Sequence, residues 1–247
     1  MNSKNEIAYG IRPILEAIQS GKDIDKIFVQ KDSRSPQMSE LLRTARQMQI
    51  PISFVPVEKL NRFTGQNHQG AVCFLSPINY SSLENVLPTV FEKGETPLIL
   101  ILDRISDVRN FGAICRSAEC EGVSAIVLPS KGAAQINSDA VKSSAGAVFN
   151  IPLCREESLK KTTQFLKNSG VQIISCTEKA EKFIDEIDFN LPSAIILGSE
   201  EDGISNELLI KSDYLAKIPM GGKTASLNVS VAAGIVLYEV IRQRKSK

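Results

Sequence analysis

Histidine is almost missing from this chain: His68 is the only one in 247 residues. One histidine excludes a His-rich metal site, and a serine triad built on it would lack its usual companion, since no G-x-S-x-G elbow occurs. A disulfide framework is equally out of reach. The five cysteines, Cys73, Cys115, Cys120, Cys154 and Cys176, include no C-x-x-C pair, and such an odd, scattered set reads mostly as small buried apolar residues. No apolar run reaches the roughly 20 residues that a membrane-spanning helix needs. The opening MNSKNEIAYG has no apolar core of a secretory signal. A soluble, cytoplasmic protein is expected. Two nucleotide fingerprints are also missing. GGKT at 221–224 looks like the end of a phosphate loop, but G-x-x-x-x-G-K-[ST] requires glycine where Lys217 stands, and no G-x-G-x-x-G is present.

What is present is a composition able to build a core: 43% hydrophobic and 23% charged residues, enough for one large domain or two small ones. Charge is uneven along the chain. Residues 1–80 hold ten Lys and Arg against seven Asp and Glu, a net of +3, and residues 81–247 hold nineteen against twenty-one, a net of −2, giving the overall +1. This permits a nucleic-acid partner for the first part without requiring one.

Residues 1–78 alternate helix and strand patterns. GIRPILEAIQSG, PQMSELLRTARQMQ and EKLNRFTG are helical, and DKIFVQ, IPISFVPV and GAVCFLSP are strands, which predicts a small α/β sandwich. Residues 79–96 hold a short helical segment and read as a linker. From 97 to 247 the pattern strengthens. LILILD is a continuous apolar run, as in a strand buried on both faces. Strands SAIVLP, VFNIPL, VQIIS, SAIILGSE and YLAKIP follow, alternating with helices, and Leu227 onward is the last helix. The prediction is a mostly parallel, doubly wound sheet. Ligands of such sheets sit beyond the carboxyl ends of the strands, which selects three polar, glycine-bearing loops: DRISDVRNFG, GSEEDG and IPMGGKTASLN.

Those loops carry a resemblance. NFGAICRSAECEGV, ILGSEEDGIS and IPMGGKTASLNVSVA, in that order, resemble the three motifs of the SpoU, or TrmH, family of RNA ribose 2′-O-methyltransferases. YGIRPILEAI and NHQGAVCF resemble the extra RNA-binding domain of the RlmB-like branch, which modifies large-subunit ribosomal RNA. The likeness spans essentially the whole chain. One departure is Val108, where the family commonly has proline after the aspartate.

The resemblance implies a fold: an L30e-like N-terminal α/β domain, and a parallel α/β SPOUT methyltransferase domain whose carboxyl-terminal chain forms a trefoil knot. It implies S-adenosylmethionine as cofactor, with no metal, held by Gly198, Ile218, Met220, Leu227 and Asn228. It implies Arg116, Asn110, Glu200, Ser226 and Asn228 at the reacting centre. Arg116 would be essential, better suited to a bidentate phosphate clamp than to a base, and the proton acceptor stays open. Asn110 would fix Arg116 or the ribose, and Glu200 could orient Arg116, while Glu201 and Asp202 read as solvated. Ser226 and Asn228 also suit a helix cap. Lys223 and the tail RQRKSK are candidate phosphate contacts, and His68 falls in the RNA-binding domain. The implied partners are 23S ribosomal RNA, at a guanosine, and a second copy of the chain, paired through the catalytic domain with the helix from Leu227 to Arg242. Two alternatives stay open: a transfer-RNA methyltransferase, and a catalytically silent ribosomal-RNA binder.

Overall fold

Leu98–Asp103 is buried at all six positions, so no face of this strand meets water. Burial of each such large aliphatic side chain contributes about 1.5–3 kcal/mol. The computed structural model describes residues 7–31, 33, 35–224 and 226–245. They form two compact units: residues up to Asn79 with Gln135–Ser138, and Tyr80–Ala134 with the residues from Asp139 onward.

The first unit runs β1 (Ile7–Tyr9), α1 (Ile11–Gln19), β2 (Ile24–Gln30), α2 (Pro36–Gln47), β3 (Ile52–Val55), α3 (Val57–Phe63) and β4 (Ala71–Leu75). Its sheet has the order β1-β4-β2-β3, antiparallel except between β2 and β3. The two-residue period of KIFVQ sends Ile27 and Val29 to one face and Phe28 to the other. The first face packs against Ile14, Ile18, Met38 and Leu41, and the second against Leu60, Phe63 and Phe74. Ser35 caps α2 by accepting from the Met38 N–H. Strand β1 is not predicted from sequence, because three residues carry too little alternation. Gln135–Ser138 joins this unit, with the Ile136 N–H donating to the buried Asp25 carboxylate at 3.4 Å. His68 is buried too. Its Nδ1 accepts from the Gly70 N–H at 3.0 Å, so the ring proton belongs on Nε2, 2.9 Å from Asn61 Oδ1. The single histidine thus closes a loop onto itself, with both ring nitrogens engaged.

The second unit runs α4 (Leu83–Glu92), β5 (Leu98–Asp103), α5 (Val108–Cys120), β6 (Ala125–Pro129), α6 (Ser138–Ser143), β7 (Leu153–Glu156), α7 (Leu159–Asn168), β8 (Gln172–Cys176), β9 (Lys182–Phe183), β10 (Ser193–Gly198), α8 (Asn206–Lys211), β11 (Tyr214–Lys217) and α9 (Val229–Lys245). Its sheet is parallel throughout, in the order β7-β6-β5-β10-β8-β11-β9. All strands therefore present their carboxyl ends at one edge. Two segments differ from expectation. The stretch 79–96, read as a linker, contains α4, and its Leu83 and Leu87 are buried in the same core as Ile99, Ile101 and Val127. The strand predicted over VFNIPL begins only at Leu153; left-handed Gly146 turns Ala147–Phe149 into a single 3₁₀ turn.

Glu156 closes β7. Burial and then the neighbouring Glu84 carboxylate push its carboxyl above the ordinary range, against a bond donated by Thr162 Oγ1. A carboxyl raised in the folded state favours folding at low pH, and that contribution is lost as pH rises through its native value. Glu156→Gln should therefore raise the thermal midpoint near pH 7, with the gain over wild type shrinking as pH falls below about 4. Melting curves showing the same difference at both pH values would contradict this.

Candidate active site

Asp107 starts α5 by accepting from the Arg109 and Asn110 N–H groups, each at 2.8 Å. This cap forms with Val108 in place of proline, so the departure from the family pattern leaves the turn intact. It sets Asn110 on the first turn of α5. On the other side of the site, Asn228 caps α9: its Oδ1 accepts from the Ser230 N–H at 3.0 Å and from Ser230 Oγ at 2.6 Å. A backbone N–H can only donate, so this bond fixes the orientation of the Asn228 amide and turns Nδ2 outward.

Between the two asparagines lies Glu200, from the loop after β10. Its Oε1 accepts from Asn228 Nδ2 at 2.6 Å, Asn110 Nδ2 at 3.1 Å and the Val229 N–H at 3.4 Å. Asn228 Nδ2 also donates to Asn110 Oδ1 at 3.0 Å. A carboxylate is the group that suits this position. Bonds to an ionised acceptor are the stronger kind, and the head of α9 carries the positive end of its helix dipole. Glu200 Oε2 has no partner among the described residues.

Beside this triad is a cavity of about 280 Å³, at the small end of ordinary ligand pockets (about 300–1,000 Å³). Its walls come from the loops after β8, β10 and β11 and from the head of α9. Gly198 shapes it by having no side chain. A Cβ there would lie 2.2 Å from the Gly203 carbonyl carbon and 2.3 Å from the Ile204 nitrogen, both backbone atoms of the same loop. Glu178, Glu200, Glu201 and Asp202 line the cavity against a single lysine, Lys179, a balance that favours a cationic ligand. The thiol of Cys176, also in the wall, is pushed up to about 12 by burial and then by Glu178, so it stays protonated and unreactive.

Of the residues expected to hold the cofactor, Gly198, Ile218, Met220 and Leu227 line this cavity, as do Glu200 and Ser226. Asn228 does not; its amide is spent on the cap and on Glu200 and Asn110. Ser226 takes no part in the cap. Arg116 is exposed on α5, six residues past Asn110 and hence about 120° around the helix axis from it. It has no hydrogen-bond or ion-pair partner among the described residues, and Glu200 does not orient it: the glutamate holds the asparagines instead. Asp202, expected to be merely solvated, pairs with Arg104 at 3.2 Å. Lys223 is exposed. In the tail, Arg242 pairs with Glu239, and Arg244 donates to the carbonyls of Phe189, Thr96 and Pro97, so neither is free for phosphate. Ser246 and Lys247 lie outside the described residues. The sequence reading missed the wall formed by Thr177–Lys179 and the role of Arg104. The wall follows the parallel strand β8, where the strand-end rule also applies, whereas Arg104 lies in DRISDVRNFG, which that rule selects without marking its partners.

Among the described residues no cluster of three or more His, Cys, Asp or Glu could hold a metal ion, and no helix is long and apolar enough to cross a membrane.

Comparison with known proteins agrees over the full length. Residues 97–238 match the SpoU rRNA methylase family, and residues 7–81 match the RNA 2′-O ribose methyltransferase substrate-binding domain. YacO of Bacillus subtilis, assigned to the TrmH family of tRNA/rRNA methyltransferases, is 32% identical over 99% of this chain and 98% of its own. Among solved structures, the SpoU methyltransferase AviRb of Streptomyces viridochromogenes, in complex with AdoMet, superposes with a TM-score of 0.63 at 26% identity, over 98% of this chain and 91% of that one. An AdoMet-bound rRNA methyltransferase from Sinorhizobium meliloti gives 0.62 at 26% identity, over 96% and 86%.

Proposed function

The chain belongs to the SpoU rRNA methylase family, and we propose that it transfers a methyl group from S-adenosylmethionine to a ribose 2′-hydroxyl of ribosomal RNA, at a guanosine of the 23S molecule. The observation that carries this reading is the convergence of Asn110, Glu200 and Asn228, one residue from each of the three motif loops, beside a carboxylate-lined cavity. The similarity over residues 7–81 to a substrate-binding domain supports an RNA acceptor. The names of the curated relatives cover transfer RNA as well as ribosomal RNA, so transfer RNA is the second acceptor to be tested.

When bound, S-adenosylmethionine supplies an electrophilic methyl on a positively charged sulfur. The residues of the cavity fit that charge, with Glu178 and Glu201 offsetting it. Gly198 lets backbone groups approach closely, while Ile218, Met220 and Leu227 provide apolar walls. Glu200 fixes the heads of α5 and α9 relative to each other by holding Asn110 and Asn228. Arg116, exposed and without a partner among the described residues, clamps a phosphate of the incoming RNA. Residues 1–78 bind the RNA, and 97–247 carry the chemistry. The helix α9 leaves Val231, Ile235 and Tyr238 exposed by 50%, 38% and 63%. Their spacing places them on one stripe, which packs against a second copy of the chain.

Titration calorimetry tests the cofactor assignment. S-adenosylmethionine should bind the purified protein with a chelator present, since the proposed site uses no metal. No binding, or binding restored only by a divalent ion, would contradict it.

A further inference from the structure

Arg104 holds a backbone conformation that arginine rarely adopts. It follows β5 directly, with φ at +59°. Glycine occupies such a position freely, whereas a residue with a Cβ does so at a cost. Its side chain shows what this conformation achieves. The guanidinium donates to Asp103 Oδ1 from Nε at 3.2 Å, to Asp202 Oδ2 from Nη1 at 3.2 Å, and to the Gly203 carbonyl from Nη2 at 3.1 Å. Asp103, buried beneath it, turns its other oxygen to the Ser205 N–H at 2.7 Å. The end of β5 thus grips the loop after β10 across 98 and 99 residues of sequence.

The gripped loop is the one that carries Glu200. Within it, the Gly203 N–H donates to the Ser199 carbonyl at 2.9 Å, and the Asp202 N–H to Ser199 Oγ at 3.1 Å. These bonds shape the turn but do not tie it to the rest of the unit. Ile204 anchors the end of the loop in the core; the outward polar ties are Arg104 with Asp103 on one flank, and the bonds of Glu200 to the heads of α5 and α9 on the other. Glu200 itself is exposed and depends on the loop for its position.

We propose that Arg104 is a positioning residue for methyl transfer: from its left-handed backbone it fixes the loop 199–204, so that Glu200 meets Asn110 and Asn228 and the cavity keeps its wall. The proposal rests on the methyltransferase reading above. It explains a costly backbone state by a fork of donors that glycine could not supply, and planar, three-way donation is a property of arginine and not of lysine.

Arg104→Gly separates this role from ordinary support of the fold, because it removes the fork while relieving the left-handed strain. The relief of strain is offset by the loss of the cation beside the buried Asp103, so the thermal midpoint should fall while the fold is retained. Amide exchange over 199–204 should accelerate at least tenfold, with β5 and β10 unchanged. Turnover under saturating cofactor should drop at least tenfold, and Arg104→Lys should recover only part of it. In a Glu200→Ala background, Arg104→Gly should cause less than a twofold further loss, because both act through one carboxylate. Unchanged exchange in the loop would overturn the clamp whether or not the protein methylates RNA. Faster exchange with full turnover, or losses that multiply in the double variant, would overturn the positioning role. If wild type methylates no RNA, the methyltransferase reading fails by itself, and exchange still decides the clamp.

Discussion

Arg116→Ala is expected to abolish methyl transfer, by a factor of at least about 10³, with the fold and most of the cofactor affinity retained. Exposed helix positions without partners tolerate truncation; surface changes of this kind are usually within about 0.5 kcal/mol. Arg116 has no bond to lose among the described residues and does not line the cavity. Any large effect must then arise when RNA is bound. A guanidinium forks across two phosphate oxygens, whereas the ammonium of Arg116→Lys offers a point charge, so that variant should fail almost as badly. Single-turnover methylation at saturating enzyme distinguishes the possible roles. A loss removed by raising RNA concentration assigns Arg116 to binding, and a loss that persists assigns it to the chemical step. A rate near that of wild type would remove Arg116 from the site.

Gly198→Ala is expected to disrupt the cavity proposed for the cofactor. The added Cβ has no flexible side chain to push aside. It meets the Gly203 and Ile204 backbone at 2.2–2.4 Å, so the loop must move as a whole. Forced overpacking of this kind typically costs about 1–3 kcal/mol of stability. The moving loop carries Glu200 and one wall of the cavity, so affinity for S-adenosylmethionine should fall at least tenfold, beyond the general loss of stability. Gly221→Ala is the internal comparison. That glycine has open space where a Cβ would go, and its substitution should change affinity less than twofold. Calorimetry on the two variants, with melting curves to separate folding from binding, decides the matter. Equal affinities for Gly198→Ala and wild type would contradict the placement of the cofactor.

The parts of this molecule that were legible in advance are those that periodicity encodes. LILILD could only be a strand covered on both faces, and it is the fully buried β5. The helix around Asn110 and Arg116 and the strand ending at Gly198 were equally plain, and with them the edge at which the loops would gather. Short or irregular pieces were not. β1 and β9 have three and two residues, too few for a pattern, and Gln135–Ser138 joins the first unit through contacts that no linear division anticipates. Within the site, the family resemblance implies Asn110, Glu200 and Asn228 but does not give the bonds among them. The resemblance suggests that Glu200 could orient Arg116. In the structure the carboxylate sits at the head of α9, where three N–H donors outcompete a distant guanidinium. The pairing of Arg104 was not legible for a similar reason. Its partners lie about a hundred residues away, and nothing in DRISD announces a left-handed arginine. In the basic tail, Arg244 is tied to the carbonyls of Phe189, Thr96 and Pro97, partners that composition does not reveal.

The central claim is that this protein methylates a ribose 2′-hydroxyl of RNA. The most direct measurement incubates purified protein with S-adenosylmethionine labelled on its methyl group, using ribosomal and transfer RNA made by transcription and therefore free of modification. The products are then digested to nucleosides and separated. The account predicts label in a 2′-O-methylated nucleoside, in 23S ribosomal RNA and at guanosine, and none in the Arg116→Ala control. Label on a base, or no label in any RNA while the cofactor binds, would contradict it.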